Sequence, residues 1–168
     1  MPASARQAGK DPRVADTLAE LVDVLVAARH RQGVLQTDVA AMLGVTPVSV
    51  CRWEQHVASP ELEHLVLYAR ALGLAVCVVD EAGHRLTVWG APAPRAGERP
   101  ACYWVRCTVL VLRDARLGAG LKQEQIAAKL GVATWSVQMW ENSRRTPRLS
   151  HLLAWCAVLG YRLELREC

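Results

Sequence analysis

QEQIAAKLGVATWSVQMWENSRRTP, residues Gln123 to Pro147, has a counterpart earlier in the same chain. Sliding the 168-residue sequence against itself by 87 positions sets Gln36 on Gln123, Gly44 on Gly131, Trp53 on Trp140, Glu54 on Glu141 and Pro60 on Pro147. From Leu25 to Val79 about 20 of 55 pairs are identical, and no gap is needed. A repeat is read before any other feature because it sets the number of structural units. Each copy reads as a short helix, a tight turn containing Gly-Val, and a second helix ending in Trp-Glu.

The flanking sequence extends each copy in both directions. A helix is expected over Asp16–Arg31, where Leu18, Leu21, Val22, Leu25 and Val26 recur at the spacing of one buried face. The next covers Gln36–Leu43, and Gly44 permits the sharp turn that residues bearing a Cβ resist. Thr46 before Pro47 is a start signal for a helix over Pro47–Gln55, with Val50 and Trp53 facing inward. Ser59-Pro60 repeats that signal for a fourth helix through Leu72. LAVCVVDEAGHRLTVW, residues 74–89, reads as two strands about a turn at Glu81–Gly83. In the second copy, helices are expected near Cys102–Leu117, Gln123–Leu130, Thr134–Asn142 and Arg148–Leu159, with a final strand in YRLELRE.

This divides the chain into a mobile arm at 1–12, a first domain at 13–89, a Pro- and Gly-rich semi-extended linker at 90–100 and a second domain at 101–168. The arm's Arg6 and Lys10, with Arg13, are placed to reach a minor groove, as basic arms do; a plain disordered tail is the other reading. The terminal strands would otherwise leave bare edges. Strand 74–79 is therefore expected to pair antiparallel with 161–166, and strand 84–89 to widen the sheet.

Composition narrows the function. The net charge of +4 is uneven: residues 1–89 hold 8 basic and 10 acidic groups, whereas residues 90–168 hold 12 basic and 6 acidic. An anion-binding surface should therefore concentrate on the second copy. The sequence shows neither a membrane-length apolar run nor a signal-peptide pattern, so a cytoplasmic protein is expected, nucleoid-associated when bound to DNA. The six cysteines form no CxxC pair and are read as reduced structural thiols; no metal and no cofactor are expected. His64 and His151 coincide across the repeat, but Arg148 stands where Glu61 would offer an acidic ligand. No phosphate loop and no nucleophile–base pair is evident, so an enzyme is not expected.

The pattern Q-x-x-V/I-A-A-x-L-G-V-x-x-x-S-V-x-x-W-E, with Pro six residues after the Glu, resembles the lambda-repressor/Cro-type (XRE family) helix-turn-helix DNA-binding domain, here in two tandem copies. The resemblance covers most of the chain. It implies a mostly α fold of two tandem lambda-repressor-like domains, each ending in a short β-strand or hairpin. It further implies that the second helix of each motif enters the major groove. By matching positions, base contacts would come from Pro47, Val48, Cys51 and Arg52 in the first copy and from Thr134, Trp135, Gln138 and Met139 in the second. Arg52 suits guanine and Gln138 suits adenine. Phosphate contacts would come from Gln36, Ser49, Lys122, Gln123, Ser136, Asn142, Arg144, Arg145 and Arg148. Structural roles fall to Arg29 with Glu54, Arg116 with Glu141, and the core anchors Trp53 and Trp140.

Departures from the pattern matter as much. The loop QHVASPE after the first recognition helix contains no fixed cation, whereas NSRRTPR in the second does. Leu35 and Lys122 replace the usual Ser or Thr cap, and Ala133 stands where Thr46 stands in the first copy, at a cost of about 1 kcal/mol unless Thr134 substitutes. The expected function is a sequence-specific double-stranded DNA-binding transcriptional regulator, a repressor of a phage or mobile element (phage immunity), reading an asymmetric operator as a single-chain pseudo-dimer. A homodimer is the other assembly. The rival is an antitoxin-like or partner-binding protein in which only the second copy binds DNA and the first holds a protein.

Overall fold

The computed structural model describes residues 12–87 and 92–168. Residues 1–11 of the arm, with Arg6 and Lys10, lie outside the described residues, as do positions 88–91, whereas Pro12 and Arg13 belong to the first helix. In chain order the elements are α1 (Pro12–Arg31), α2 (Gln36–Leu43), α3 (Pro47–Glu54), α4 (Leu62–Ala71), β1 (Leu74–Val79), α5 (Pro100–Gly118), α6 (Gln123–Leu130), α7 (Thr134–Glu141), α8 (Leu149–Val158) and β2 (Arg162–Glu167). The 87-residue shift lays α1–α4 and β1 on α5–α8 and β2.

Local chemistry explains the helix ends. Gly44 at φ 68° and Gly131 at φ 66° adopt the left-handed conformation that terminates α2 and α6. Thr46 Oγ1 accepts the Ser49 N–H at 3.2 Å and caps α3, whereas α7 begins at Ala133 with no side-chain cap. At α2 and α6 the missing Ser or Thr is offset from the other direction. The Asp38 carboxylate accepts the Leu35 N–H at 3.0 Å, and Gln125 Oε1 accepts the Lys122 N–H at 2.8 Å. That is the reciprocal half of a capping box.

The terminal strands do pair. β1 and β2 form a two-stranded antiparallel sheet with Leu74 opposite Glu167 and Val79 opposite Arg162. At its centre Cys77 faces Glu164, the residue 87 positions further along, its own counterpart in the repeat. Ala75 pairs with Arg166, the counterpart of Val79, and Val79 pairs with Arg162, the counterpart of Ala75. Such exchange is the signature of a two-fold axis through the sheet. The helices follow it: α4 packs on α5 as α8 packs on α1, and α5 meets β1 as α1 meets β2.

One apolar core runs through both copies, from Val14, Leu21 and Leu25 through Leu65, Val78, Leu112 and Ile126 to Leu152, Trp155 and Leu163. The cluster is continuous across the two copies. The expected second strand of a hairpin reduces to an isolated bridge, Val79 opposite Arg85, and a 2.8 Å bond from the Leu86 N–H to the Val78 carbonyl. Leu86 packs against the core and Thr87 is exposed, while positions 88 and 89 of the expected strand lie outside the described residues.

The stretch between the copies is tied down over residues 92–99. Arg106 on α5 donates two hydrogen bonds to Glu98, at 2.7 and 2.6 Å, and a third to the Ala93 carbonyl at 3.1 Å. Glu98 also accepts the Arg95 N–H at 2.9 Å. The Arg106 and Glu98 side chains are both buried, and Arg106 holds the Glu98 carboxyl down to about 2. Expected to be semi-extended, this segment is a folded strap against α5.

Candidate nucleic-acid interface

Each recognition helix is positioned by a buried brace. In the first copy Arg29 Nε and Nη2 grip the two Glu54 oxygens at 2.7 Å each, and Arg29 Nη1 donates to the Val34 carbonyl at 2.9 Å. In the second, Arg116 grips Glu141 at 2.6 and 2.8 Å and donates to the Leu121 carbonyl at 2.7 Å. One arginine thus fastens the end of α3 or α7 to the long helix and to the entry of α2 or α6. Gln36 Nε2 donates to Glu54 at 2.8 Å, and Gln123 Nε2 to Glu141 at 2.6 Å. Each Gln, half-buried at the first position of its helix, has one amide proton committed to the brace and the other left for an outside acceptor.

The first brace has a fourth member that sequence reasoning missed. Tyr68 on α4 donates its hydroxyl to Glu54 Oε1 at 2.6 Å. Burial alone would raise the Glu54 carboxyl, but hydrogen bonds from Arg29, Tyr68 and Gln36 outweigh it and hold the group below its ordinary value. Burial, and the Glu54 charge beside it, push the Tyr68 phenol up. The counterpart of Tyr68 is Trp155, fully buried, with its indole Nε1 unbonded. No signal in the sequence marked Tyr68, because the repeat aligns it with a different residue type.

Trp53 and Trp140 are buried anchors as expected from their spacing, and His64 and His151 lie against them, with ring centroids 5.4 and 5.5 Å apart. The two histidines therefore belong to the core. Among the described residues no group of three His, Cys, Asp or Glu side chains is close enough to hold a metal.

The outward faces are where the copies diverge. Pro47, Val48 and Arg52 are exposed and Cys51 is half-buried on α3; Thr134, Trp135 and Gln138 are exposed and Met139 half-buried on α7. All eight predicted base contacts therefore lie on the recognition helices, away from Val50 and Val137, which are fully buried. Ser49 is half-buried and shares a 2.9 Å hydrogen bond with the Thr46 hydroxyl; Ser136 is half-buried at the same position of α7. Lys122 is exposed at the entry of α6. Trp135, exposed on one side, carries the Arg145 guanidinium over its ring at 4.8 Å from the centroid. That stacking preorganises both side chains at the surface.

The loops after α3 and α7 share a backbone and differ in chemistry. His56 and Ser143 both sit at positive φ, 57° and 56°, and the Val57 and Arg144 N–H groups both return to the recognition helix, at 2.9 and 2.8 Å. At this frame the first copy presents exposed Val57 and half-buried Ala58, and the second presents exposed Arg144 and Arg145, flanked by exposed Asn142 and Arg148. The predicted phosphate contacts outside the braces thus cluster on the second copy. Such a surface binds polyanions through positive charge, with a rigid helix alongside to read groove edges.

The sequence profile of the helix-turn-helix family, of lambda-repressor type, matches the chain twice, over residues 25–78 and 112–165. The two matches are offset by the same 87 residues as the internal repeat, and together they span more than half of the chain. Neither curated proteins nor solved structures gave a match. Among the described residues no helix is long and apolar enough to cross a membrane.

Proposed function

The chain belongs to the lambda-repressor-type helix-turn-helix family of DNA-binding transcription regulators, and from that premise we propose that it acts as a single-chain pseudo-dimer on an asymmetric operator. In this reading α3 and α7 each enter a major groove on one face of the duplex, with half-site centres about 34 Å apart. The observation that carries it is the register of the sheet, in which Cys77 opposes its own counterpart Glu164. A two-fold relation between copies is the arrangement that presents two recognition helices to successive grooves. Because α3 and α7 expose different side chains, the half-sites would be unlike. Tethering makes the second contact intramolecular and raises affinity without further residues.

The regulator would be a non-catalytic repressor working on DNA in the cytoplasm, and the resemblance points to control of a phage or mobile element. Selection of bound duplexes from a random pool, with the intact protein at moderate salt, tests the mechanism. Two different half-sites at fixed spacing are expected. A single short motif would confine DNA reading to one copy, and no enrichment would defeat the proposal.

A second reading is favoured by one observation. Leu35, Met42, Val48 and Val57 of the first copy are all exposed apolar side chains, between 58 and 66% accessible. That surface suits a protein partner of the antitoxin kind, with only the second copy on DNA. Arg52→Ala separates the two: loss of specificity at one half-site supports two readers, and unchanged binding supports the protein-binding alternative.

A further inference from the structure

The strap between the copies carries charge of its own. A depression of about 280 Å³ is lined by Arg95, Glu98 and Arg99 of the strap, Arg106 of α5, Glu63 of α4, and Arg144 and Arg145 of the loop after α7. Five arginines therefore meet two glutamates there, and the glutamates do not neutralise them evenly. Glu98 is consumed by Arg106 in a buried pair. Glu63 lies 3.2 Å from Arg99, but the Arg99 side chain remains 71% exposed. Arg95 is exposed, and its backbone N–H, rather than its guanidinium, is what the Glu98 carboxylate holds.

Resting on the DNA-binding reading above, we propose that the strap is an additional phosphate clamp: Arg95 and Arg99 contact the duplex backbone between the half-sites, continuing the row begun by Arg144 and Arg145. The placement follows from the lining, which joins the α7 loop to the start of α4 in the other copy, so the depression faces from the second copy toward the first. Rigidity follows from the Arg106–Glu98 pair, which fixes the backbone of 95–98; Arg95 is exposed, and the Arg99 guanidinium, held at its edge by Glu63 and Cys102, keeps 71% of its side chain accessible. The arginines are not repeated at the matching positions of the sequence. The counterparts of Arg95, Arg99, Arg144 and Arg145 are Ala8, Pro12, Val57 and Ala58, none of them charged. A duplex phosphate is the occupant that fits, because several guanidinium groups in a row match successive backbone anions and each pairing releases a counterion.

The experiment uses the intact protein and the duplex obtained by selection. For the double variant Arg95→Ala/Arg99→Ala, the slope of log affinity against log salt should fall by about 1.8, roughly 0.9 for each phosphate no longer neutralised. The wild-type advantage should therefore shrink about tenfold between roughly 50 and 200 mM salt, with base preferences unchanged. Phosphate ethylation between the half-sites should stop interfering with binding by the variant. Arg95→Lys/Arg99→Lys should keep most of the slope. Glu63→Gln, which removes the carboxylate competing for Arg99, should tighten binding, whereas a merely structural ion pair would weaken it. A folded Ala variant with an unchanged slope and an unchanged ethylation pattern overturns the clamp, as does binding of free inorganic phosphate at the strap without any effect on DNA. If the wild-type protein binds no duplex at all, the DNA-binding reading itself fails and takes the clamp with it.

Discussion

The two copies share the brace and the tryptophan anchor of each recognition helix and part company on the surface beside them. Arg29–Glu54–Gln36 and Arg116–Glu141–Gln123 are the same brace built twice, with the same donors on the same acceptors. The loops that follow have the same backbone, yet one presents Val57 and Ala58 where the other presents Arg144 and Arg145. A buried ion pair cannot lose one member without stranding the other. A surface residue is under no such constraint. The difference teaches that framework and recognition are separable here: changes to the brace should act on the whole molecule, and changes to the outer face should act on one half alone.

The largest effect is expected inside. Glu141→Ala strands Arg116 in the core and should cost about 3–5 kcal/mol in urea denaturation. Because one core runs through both copies, the loss should appear in a single transition. Two separate transitions would break the comparison by showing that the copies fold independently.

Next come the readers. Arg52→Ala and Gln138→Ala should each cost about 1–3 kcal/mol in DNA affinity, each relaxing base preference in a different half-site. Equal blurring of both half-sites would contradict separable recognition, and competition binding with half-site variants measures it.

The loops can be made alike. Val57→Arg/Ala58→Arg copies the second loop onto the first, and the salt slope should steepen by up to about 1.8 if both new cations reach phosphate. An unchanged slope would mean that the first loop does not approach DNA. Salt-dependent titrations decide it.

Smaller still is the asymmetry that Tyr68 brings to the first brace. Tyr68→Phe removes a hydrogen bond to Glu54 while leaving Arg29 and Gln36 in place, and should cost about 1 kcal/mol on thermal or chemical unfolding. A negligible change would leave the first brace no different from the second, which has no such donor.

The mildest effect concerns acid. Burial, with Arg148 nearby, lowers the His151 pKa below its ordinary 6.5. Between that folded value and about 6.5 the unfolded chain binds the proton more readily, so stability should fall as pH drops through this window. His151→Gln should remove that share of the pH dependence, measured as unfolding midpoints at neutral and mildly acidic pH.

Much of this molecule was legible in the residues. α2 and α6 run as their patterns indicate, since Gly44 and Gly131 mark their ends unambiguously. The Arg–Glu pairs were expected from the family resemblance at matching positions, and the structure adds the Gln36 and Gln123 amides to them. Ends set by softer signals moved: α1 begins at Pro12 rather than Asp16, and α4 at Leu62. Of the expected strand 84–89, the described part turns back on β1 through the Val79–Arg85 bridge, and positions 88 and 89 lie outside the described residues.

By itself the sequence determined the repeat, the helical periods and the uneven charge, all of which depend on residue type and short spacing. The pairing of β1 with β2 was expected from their bare edges, but only the tertiary structure decided the register that sets Cys77 opposite Glu164, that Tyr68 joins a brace its counterpart cannot, and that Glu98 and Arg106 pin the strap. Those contacts join residues whose separation in the chain says nothing about their distance in space. Their energies come from burial and geometry that exist only once both copies have packed on a common core.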